Sequence, residues 1–123
     1  RKEIIAAYDA MCDELKLQKL THFGEDFQSS GHLYLVRIPN VGVAVRNAII
    51  TEMAERGIVC NVHYKPLPMM TAYKNLGFDI ANFPNAYARF ANEITLPLHT
   101  KLTSEEIEYI IDNYIRITKQ FMQ

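Results

Sequence analysis

Four consecutive residues, His63-Tyr64-Lys65-Pro66, bring together side chains that can bind a polar ligand. The imidazole, phenol and ammonium groups follow a run of strand-forming residues and precede a loop stiffened by Pro66 and Pro68. Loops beside rigid elements often carry binding residues, and a fixed geometry lowers the cost of ordering them on a ligand. The same pattern also fits the capped end of a strand with exposed polar side chains. The local sequence leaves both interpretations open.

Other patterns that could carry chemistry are weak. On a strand, Cys60 and His63 point to opposite faces, so the two cannot easily share a metal that His99 completes, and we predict no metal site. There is no Gly-x-Ser-x-Gly elbow, Gly-x-Gly-x-x-Gly loop or Walker sequence, so we predict no nucleophilic centre and no phosphate loop. His22, His32 and His99 are typical of surface or core histidines.

Composition narrows the class of protein. The chain has 123 residues, 49% of them hydrophobic, which is enough for one domain with its own core. Its 13 basic and 14 acidic residues leave no net field that would attract nucleic acid or an anionic membrane. The apolar runs are too short to cross a bilayer and no signal peptide opens the chain, so we expect a cytoplasmic protein. Cys12 and Cys60 lie in core-like patterns and are predicted to be buried, reduced thiols.

The elements that must position these residues begin with helices. Residues 2–16 carry an apolar stripe at spacings of three and four, and this pattern is already running at Ile4 without an N-cap, so we expect polypeptide before residue 1. Gly57 and Gly77 follow two further helical patterns at the usual C-cap position. The predicted helices are residues 2–16, 44–56, 69–76 and 84–92, and a last helix that begins at the capping box Thr103-Ser-Glu-Glu106.

Three segments read as strands, at residues 32–38, 58–64 and 94–97. In the second, the even-numbered face from Ile58 to Tyr64 is predicted to meet the core. The order of elements predicts an α/β or α+β domain, with a small, largely antiparallel or mixed sheet of about three strands flanked by helices. So small a sheet leaves apolar surface, and we expect it to pack on another domain or subunit.

Three short motifs occur along the chain in a recognisable order. They are Arg46-x-x-Ile49-x-x-x-Met53-x-x-x-Gly57-Ile58, Val62-His63-Tyr64-x-Pro66-Leu67 and Thr95-Leu96-Pro97-Leu98. In this combination the chain resembles the C-terminal region of the DegT/DnrJ/StrS sugar aminotransferases over nearly its whole length. Tyr87 departs from the pattern, because many members carry an acidic residue near this position.

The resemblance implies that residues 1–123 are one domain, the small C-terminal domain of a fold type I pyridoxal 5'-phosphate enzyme whose N-terminal cofactor-binding domain is absent here. Full-length members are homodimers that move an amino group from glutamate to a keto nucleotide sugar, in the biosynthesis of amino sugars or cell-surface polysaccharides. The cofactor lysine, the acid on the pyridine nitrogen and the phosphate cradle belong to the large domain. We therefore expect no catalytic residue in this chain, neither Lys65 nor Lys74, and no activity or cofactor binding by the chain alone.

For the chain's own residues, the resemblance implies that His63 and Tyr64 approach the cofactor or substrate, with Lys65 near an anionic group. Structural support at a domain or dimer interface is the other interpretation of these residues. Two alternative functions stay open at this point, a freestanding module that binds a small ligand and a dimerisation module.

Overall fold

The computed structural model describes residues 2–28 and 30–122, in which five α-helices surround a small sheet. Each predicted helix is present, and the segment predicted at 69–76 is divided into a 3-10 turn and a short α-helix. None of the described helices combines the length and the apolarity needed to cross a membrane. The elements are α1 (Lys2–Leu15), β1 (Gln18–Lys19), β2 (Tyr34–Arg37), α2 (Val43–Glu55), α3 (Thr71–Asn75), α4 (Pro84–Ala91), β3 (Glu93–Leu96) and α5 (Ser104–Phe121), with 3-10 turns at Leu67–Met69 and Ile80–Asn82.

The sheet is antiparallel, with β2 between β1 and β3. Arg37 of β2 lies opposite Gln18 on one side and Glu93 on the other, and Leu35 lies opposite Thr95. Because alternate side chains of a strand point to opposite faces, these five residues share one face of the sheet. The predicted class, a small antiparallel sheet of about three strands flanked by helices, is confirmed.

The identity of one strand was predicted wrongly. Residues 58–64 form no regular strand, and only Asn61 pairs with β3, in an isolated bridge. Ile58 and Cys60 are buried as predicted, whereas Tyr64, which was predicted to meet the core, is 69% exposed. The third strand is instead β1, a polar pair of residues with no alternating pattern that would have revealed it.

Competing hydrogen bonds explain why the pairing stops at one bridge. Asn61 and Thr95 exchange both backbone hydrogen bonds, at 3.1 and 2.7 Å. The ladder cannot continue towards Pro97, because proline has no N–H to donate. It stops in the other direction because the amide of His63 donates to the carboxylate of Glu93, at 3.0 Å, and not to a backbone carbonyl.

The core lies between the other face of the sheet and helices α1, α2 and α5. The six apolar residues predicted for the buried stripe of α1 are the six that it buries. The hydroxyl of Tyr8 donates to the carbonyl of Pro97 at 2.6 Å, and that of Tyr34 donates to Asp9 at 2.6 Å, so these two buried phenols are satisfied. Full burial of a large apolar side chain, such as those of the α1 stripe, contributes about 1.5–3 kcal/mol to the free energy of unfolding.

Local signals at the helix ends hold as predicted. Thr103 and Glu106 form a capping box, in which the amide of Glu106 donates to the Thr103 hydroxyl at 3.1 Å and the amide of Thr103 donates to the Glu106 carboxylate at 3.0 Å. Hydrogen bonds from the amide and the side chain of Thr103 stabilise the ionised carboxylate and lower the pKa of Glu106. Gly57 has a φ of 78°, the left-handed conformation expected after α2.

Both cysteines are free and buried in the core, as predicted. Burial raises the pKa of the Cys60 thiol to about 12. Burial also raises the pKa of Cys12, and a hydrogen bond with Tyr34 partly opposes that effect. Neither thiol is therefore ionised at neutral pH, as suits packing residues.

Candidate functional site

An open groove of about 560 Å³ lies on the face of the sheet that the core helices leave uncovered. The loop at His63 forms one wall and α4 forms another, while Arg37 and Glu93 of neighbouring strands lie on the floor. The groove therefore combines charged, polar and aromatic groups on a rigid base. It is lined by Gln18, Lys19, Leu20, Leu35, Arg37, His63, Tyr64, Pro66, Ala86, Arg89, Phe90 and Glu93.

Two side chains of β3 fix the orientation of His63. The Nδ1 atom of His63 lies 2.7 Å from the hydroxyl oxygen of Thr95, and that hydroxyl donates to Oε1 of Glu93 at 2.6 Å. The other carboxylate oxygen of Glu93 accepts the backbone amide of His63. The imidazole is thus held from its backbone and from its ring, as a preorganised binding group requires.

Glu93 is a buried carboxyl group, only 4% exposed. Its burial raises its pKa, and hydrogen bonds from Thr95 and His63, together with electrostatic interactions with His63 and Arg46, oppose that rise. Both carboxylate oxygens accept hydrogen bonds, which supports the ionised form.

The structure places the three predicted site residues differently. His63 and Tyr64 both line the groove, with their rings edge to face at 4.5 Å and a cis peptide bond between them. Tyr64 is largely exposed, so its phenol is accessible to a ligand or to a neighbouring domain. Lys65 is exposed and is not among the residues that line the groove. The geometry therefore brings His63 and Tyr64 together and leaves Lys65 outside.

Sequence reasoning missed the supporting residues Glu93 and Thr95. Thr95 stands in the motif Thr95-Leu96-Pro97-Leu98 without a predicted role of its own, and the predicted strand at residues 94–97 does not include Glu93. A signal was present, because an acidic residue that immediately precedes the apolar strand Ile94–Leu96 has to find partners if it is buried.

Arg46, the first residue of the α2 motif, is buried and ties three elements together. One of its guanidinium nitrogens donates to the carbonyls of Phe90, at 2.6 Å, and Glu93, at 3.2 Å. Its Nε donates to Asn47 at 2.8 Å, and the guanidinium lies 4.6 Å from the centre of the Phe90 ring. Burial lowers the pKa of Arg46, and the Glu93 charge opposes this effect. Arg46 thus fixes Phe90, a wall of the groove, against β3.

The cations of the groove differ in how they are satisfied. Lys19 forms a 2.8 Å ion pair with Asp13, so its charge is already compensated. Arg37 donates to the neutral amide oxygen of Asn92 at 3.2 Å, and Arg89 has no ion pair or hydrogen bond among the described residues. Arg37 and Arg89 therefore retain positive charge that can bind a phosphate or carboxylate group.

A second hollow, of about 790 Å³, lies at the start of α5 and contains His99 and Tyr109 but none of the predicted site residues. Although it is the larger of the two, its described lining contains no lysine or arginine, and its imidazole, that of His99, accepts the backbone amide of Lys101 at 3.3 Å. Cys60 lies in the core and His63 in the groove, and the described residues contain no group of three side chains able to hold a metal ion.

Fold and groove together define an α+β domain whose sheet presents one face to the core and the other to an open groove. The chain belongs to the DegT/DnrJ/EryC1/StrS aminotransferase family, whose profile matches residues 1–114.

Relatives and solved structures agree with this membership. A UDP-4-amino-4,6-dideoxy-N-acetyl-beta-L-altrosamine transaminase from Helicobacter pylori is 30% identical over 94 residues, which are 76% of this chain and 25% of that protein. The PLP-form of Spr1654 from Streptococcus pneumoniae is 49% identical with a TM-score of 0.94, over 99% of this chain and 31% of that one. PseC from H. pylori, an aminotransferase of pseudoaminic acid biosynthesis, has 27% identity and a TM-score of 0.85, over 97% and 32%. This chain thus spans about a third or less of each.

The described residues do not fit a complete pyridoxal phosphate site. Such a site needs a lysine, an acid for the pyridine nitrogen and a phosphate cradle. Every lysine in the described chain is exposed except Lys19, which is partly buried and paired with Asp13. The groove thus supplies groups that could approach a ligand, but no lysine placed to hold the cofactor.

Proposed function

We propose that residues 1–123 are the small C-terminal domain of a pyridoxal phosphate-dependent sugar aminotransferase, and that the chain alone is inactive. The observation that carries the proposal is the groove, which contains an oriented imidazole and two arginines without an ion pair, while no lysine among the described residues is placed to carry the cofactor. A domain of this kind can form one side of a cleft whose other side lies on a second domain. The share of each relative that the chain spans supports the same division.

Exposed apolar side chains support docking onto a large domain or partner subunit. They are concentrated between Tyr64 and Tyr87, on the loops and short helices beside the groove. Contiguous exposed apolar surface marks interaction sites in soluble proteins, and this segment has no core of its own to bury it. In the proposed enzyme it packs against the rest of the polypeptide or the second subunit of a homodimer. The side chains are Tyr64, Leu67, Met70, Tyr73, Leu76, Phe78, Phe83 and Tyr87.

The side chains of the groove and the names of relatives indicate which substrates the proposed enzyme binds. Arg37 and Arg89 suit an anionic group, such as the diphosphate of a nucleotide sugar or the carboxylate of glutamate, the proposed amino donor. His63 and Tyr64 suit hydroxyl or amino groups of the same ligands. A Bacillus subtilis relative is a spore coat polysaccharide biosynthesis protein, which supports a role in making surface polysaccharides or amino sugars. The proposed enzyme acts in the cytoplasm.

Lys65 has a lesser part in this proposal. Its exposed ammonium lies two residues after His63, outside the groove lining, where an anionic group of a ligand held across two domains could reach it. We therefore expect its removal to affect ligand affinity less than the removal of His63.

A chimera tests the proposed function. Residues 1–123 replace the aligned 31% of Spr1654, and the chimera, Spr1654 itself and the isolated chain are compared for pyridoxal phosphate absorbance and for transamination of UDP-keto sugars with glutamate. We expect both properties in the chimera and neither in the isolated chain. His63→Ala in the chimera should lower kcat/KM about tenfold, the effect of losing one hydrogen bond of about 1.4 kcal/mol, while the exposed Val59→Ala control should not change it.

Three outcomes contradict the proposal in different ways. Turnover by the isolated chain would show that it holds a complete site. A folded, dimeric chimera without bound cofactor would show that this chain does not complete the cleft. Unchanged kinetics after His63→Ala, with altered dimerisation, would assign this residue to structural support.

A further inference from the structure

The hydrogen-bond chain from Glu93 through Thr95 to His63 determines where the imidazole carries its proton. A threonine hydroxyl has one hydrogen to donate. At 2.6 Å the contact between Thr95 and Glu93 has the length of a charge-assisted O–H···O⁻ bond, so the hydroxyl hydrogen points to the carboxylate.

The contact between Thr95 and His63 then has one remaining arrangement. Since the hydroxyl hydrogen is engaged, the hydroxyl oxygen can only accept, and the donor across the 2.7 Å contact must be Nδ1–H of His63. A neutral imidazole with a hydrogen on Nδ1 has a free lone pair on Nε2. That atom makes no hydrogen bond within the described part of the chain, and His63 lines the groove.

We propose that Glu93 and Thr95 are positioning residues that hold His63 as the Nδ1–H tautomer, so that Nε2 accepts a hydrogen bond from a hydroxyl or amino group of the ligand. This assignment deepens the proposed function and rests on it for the identity of the ligand. It divides the groove by chemistry, with Arg37 and Arg89 facing anionic groups and His63 facing a donor. A histidine with its hydrogen on Nε2 would instead donate to a phosphate or carboxylate.

The burial of the two supporting side chains agrees with a positioning role. Glu93 and Thr95 are 4% and 6% exposed, so neither can contact a ligand directly to any large extent. Their polar atoms are nevertheless fully used, by one another and by the backbone and ring of His63. A buried carboxylate whose bonds lead to one partly exposed imidazole, directly or through Thr95, acts through that imidazole.

Long-range ¹⁵N–¹H spectra of the ¹⁵N-histidine-labelled 123-residue chain test the tautomer at about pH 8.5, where free imidazole is neutral. His63 is assigned by the signals that disappear in His63→Gln. We expect Nδ1 of His63 in the protonated, pyrrole-like ¹⁵N region and Nε2 in the unprotonated, pyridine-like region. His99 is an internal control of opposite sign, because its Nδ1 accepts the amide of Lys101 at 3.3 Å.

Two variants of Thr95 form a matched pair. Thr95→Ser keeps the hydroxyl and should keep the Nδ1–H tautomer, whereas Thr95→Val keeps the branched shape and should move the His63 proton to Nε2. An Nε2–H signal for His63 in the unsubstituted chain overturns the proposal, and so does an unchanged tautomer in Thr95→Val. The unsubstituted spectrum decides the question even if Thr95→Val does not fold.

The same pair separates this proposal from the proposed function. The spectra need no turnover, so an inactive chimera would refute the enzyme assignment and leave the tautomer standing. In an active chimera, Thr95→Val should raise the KM of the ligand that His63 contacts, and Thr95→Ser should restore it. A changed tautomer with unchanged kinetic constants would show that the orientation of His63 does not serve ligand binding.

Discussion

The two faces of the antiparallel sheet are buried by different means. On the core face, Tyr34, Val36 and Ile94 are fully buried against helices, mainly by apolar contact. On the groove face, Glu93 and Thr95 are almost as buried, but a short loop covers them and hydrogen bonds satisfy them. Burial alone therefore does not distinguish a residue of the apolar core from one that orients a side chain of the groove.

The core face and the groove face also contribute differently to stability. Apolar burial is non-directional and contributes in proportion to area. Hydrogen bonds exchanged with water contribute little net stability, but they fix orientation, and a partner left unpaired is costly. We therefore expect the core face to determine whether the chain folds and the groove face to determine what the folded chain can hold.

The largest expected effect comes from truncating the core face. Ile94→Ala removes a fully buried side chain and should lower the free energy of unfolding by about 2–5 kcal/mol, through lost transfer energy and a residual cavity. The half-buried Leu35→Ala on the groove face is the matched control, and its cost should be clearly smaller. Urea denaturation measures both variants. A larger loss for Leu35→Ala would break the distinction between the two faces.

A smaller loss of stability is expected from substituting Arg46, which links helix α2 to Phe90 and Glu93 of the groove. Arg46→Met removes the guanidinium donor from the carbonyls of Phe90 and Glu93, and the Phe90 carbonyl keeps only the backbone amide of Asn92, so the free energy of unfolding should fall by about 1–3 kcal/mol. Arg56→Met on the same helix is the control, because Arg56 forms a partly exposed pair with Glu52 and should cost about 0–1 kcal/mol. Equal costs would mean that the buried bonds of Arg46 do not hold the groove wall in place.

The smallest expected effect is a pH dependence from the groove face. Burial raises the pKa of Glu93 in the folded chain above the ordinary value of 4.5. Between pH 4.5 and that raised pKa, the folded chain therefore binds more protons than the unfolded chain. The stabilisation that comes from the protonated Glu93 is fully present below pH 4.5 and is lost as the pH rises through the raised pKa. Glu93→Gln should abolish the part of the pH dependence of the free energy of unfolding that Glu93 produces.

Urea titrations of the chain and of Glu93→Gln at several pH values measure the difference between their free energies of unfolding. The free energy of unfolding of the unsubstituted chain minus that of Glu93→Gln should decrease as the pH rises. The exposed, capping Glu106 has a lowered pKa and should produce the opposite pH dependence. A difference that increased with pH would mean that the hydrogen bonds of Glu93 outweigh its burial.

Much of the fold was predictable because its signals are local. The stripe of α1, the capping box at Thr103 and the left-handed Gly57 each depend on residues within about four positions. The candidate site was partly predictable for the same reason, since His63 and Tyr64 are adjacent and stand in one short motif. The roles of Glu93 and Thr95 were not, because 30 and 32 positions separate them from His63.

Periodicity, caps and motif order are properties of neighbouring residues, so the helices, the sheet-containing class and the family could be predicted from the amino-acid order. Which segments pair as strands, and how His63 is held, depend on contacts between distant parts of the chain. Strand pairing depends on competition among distant donors and acceptors. Here the side chain of Glu93 takes an amide that a backbone carbonyl would otherwise bind, and Pro97 offers no hydrogen. No local pattern records the result of that competition.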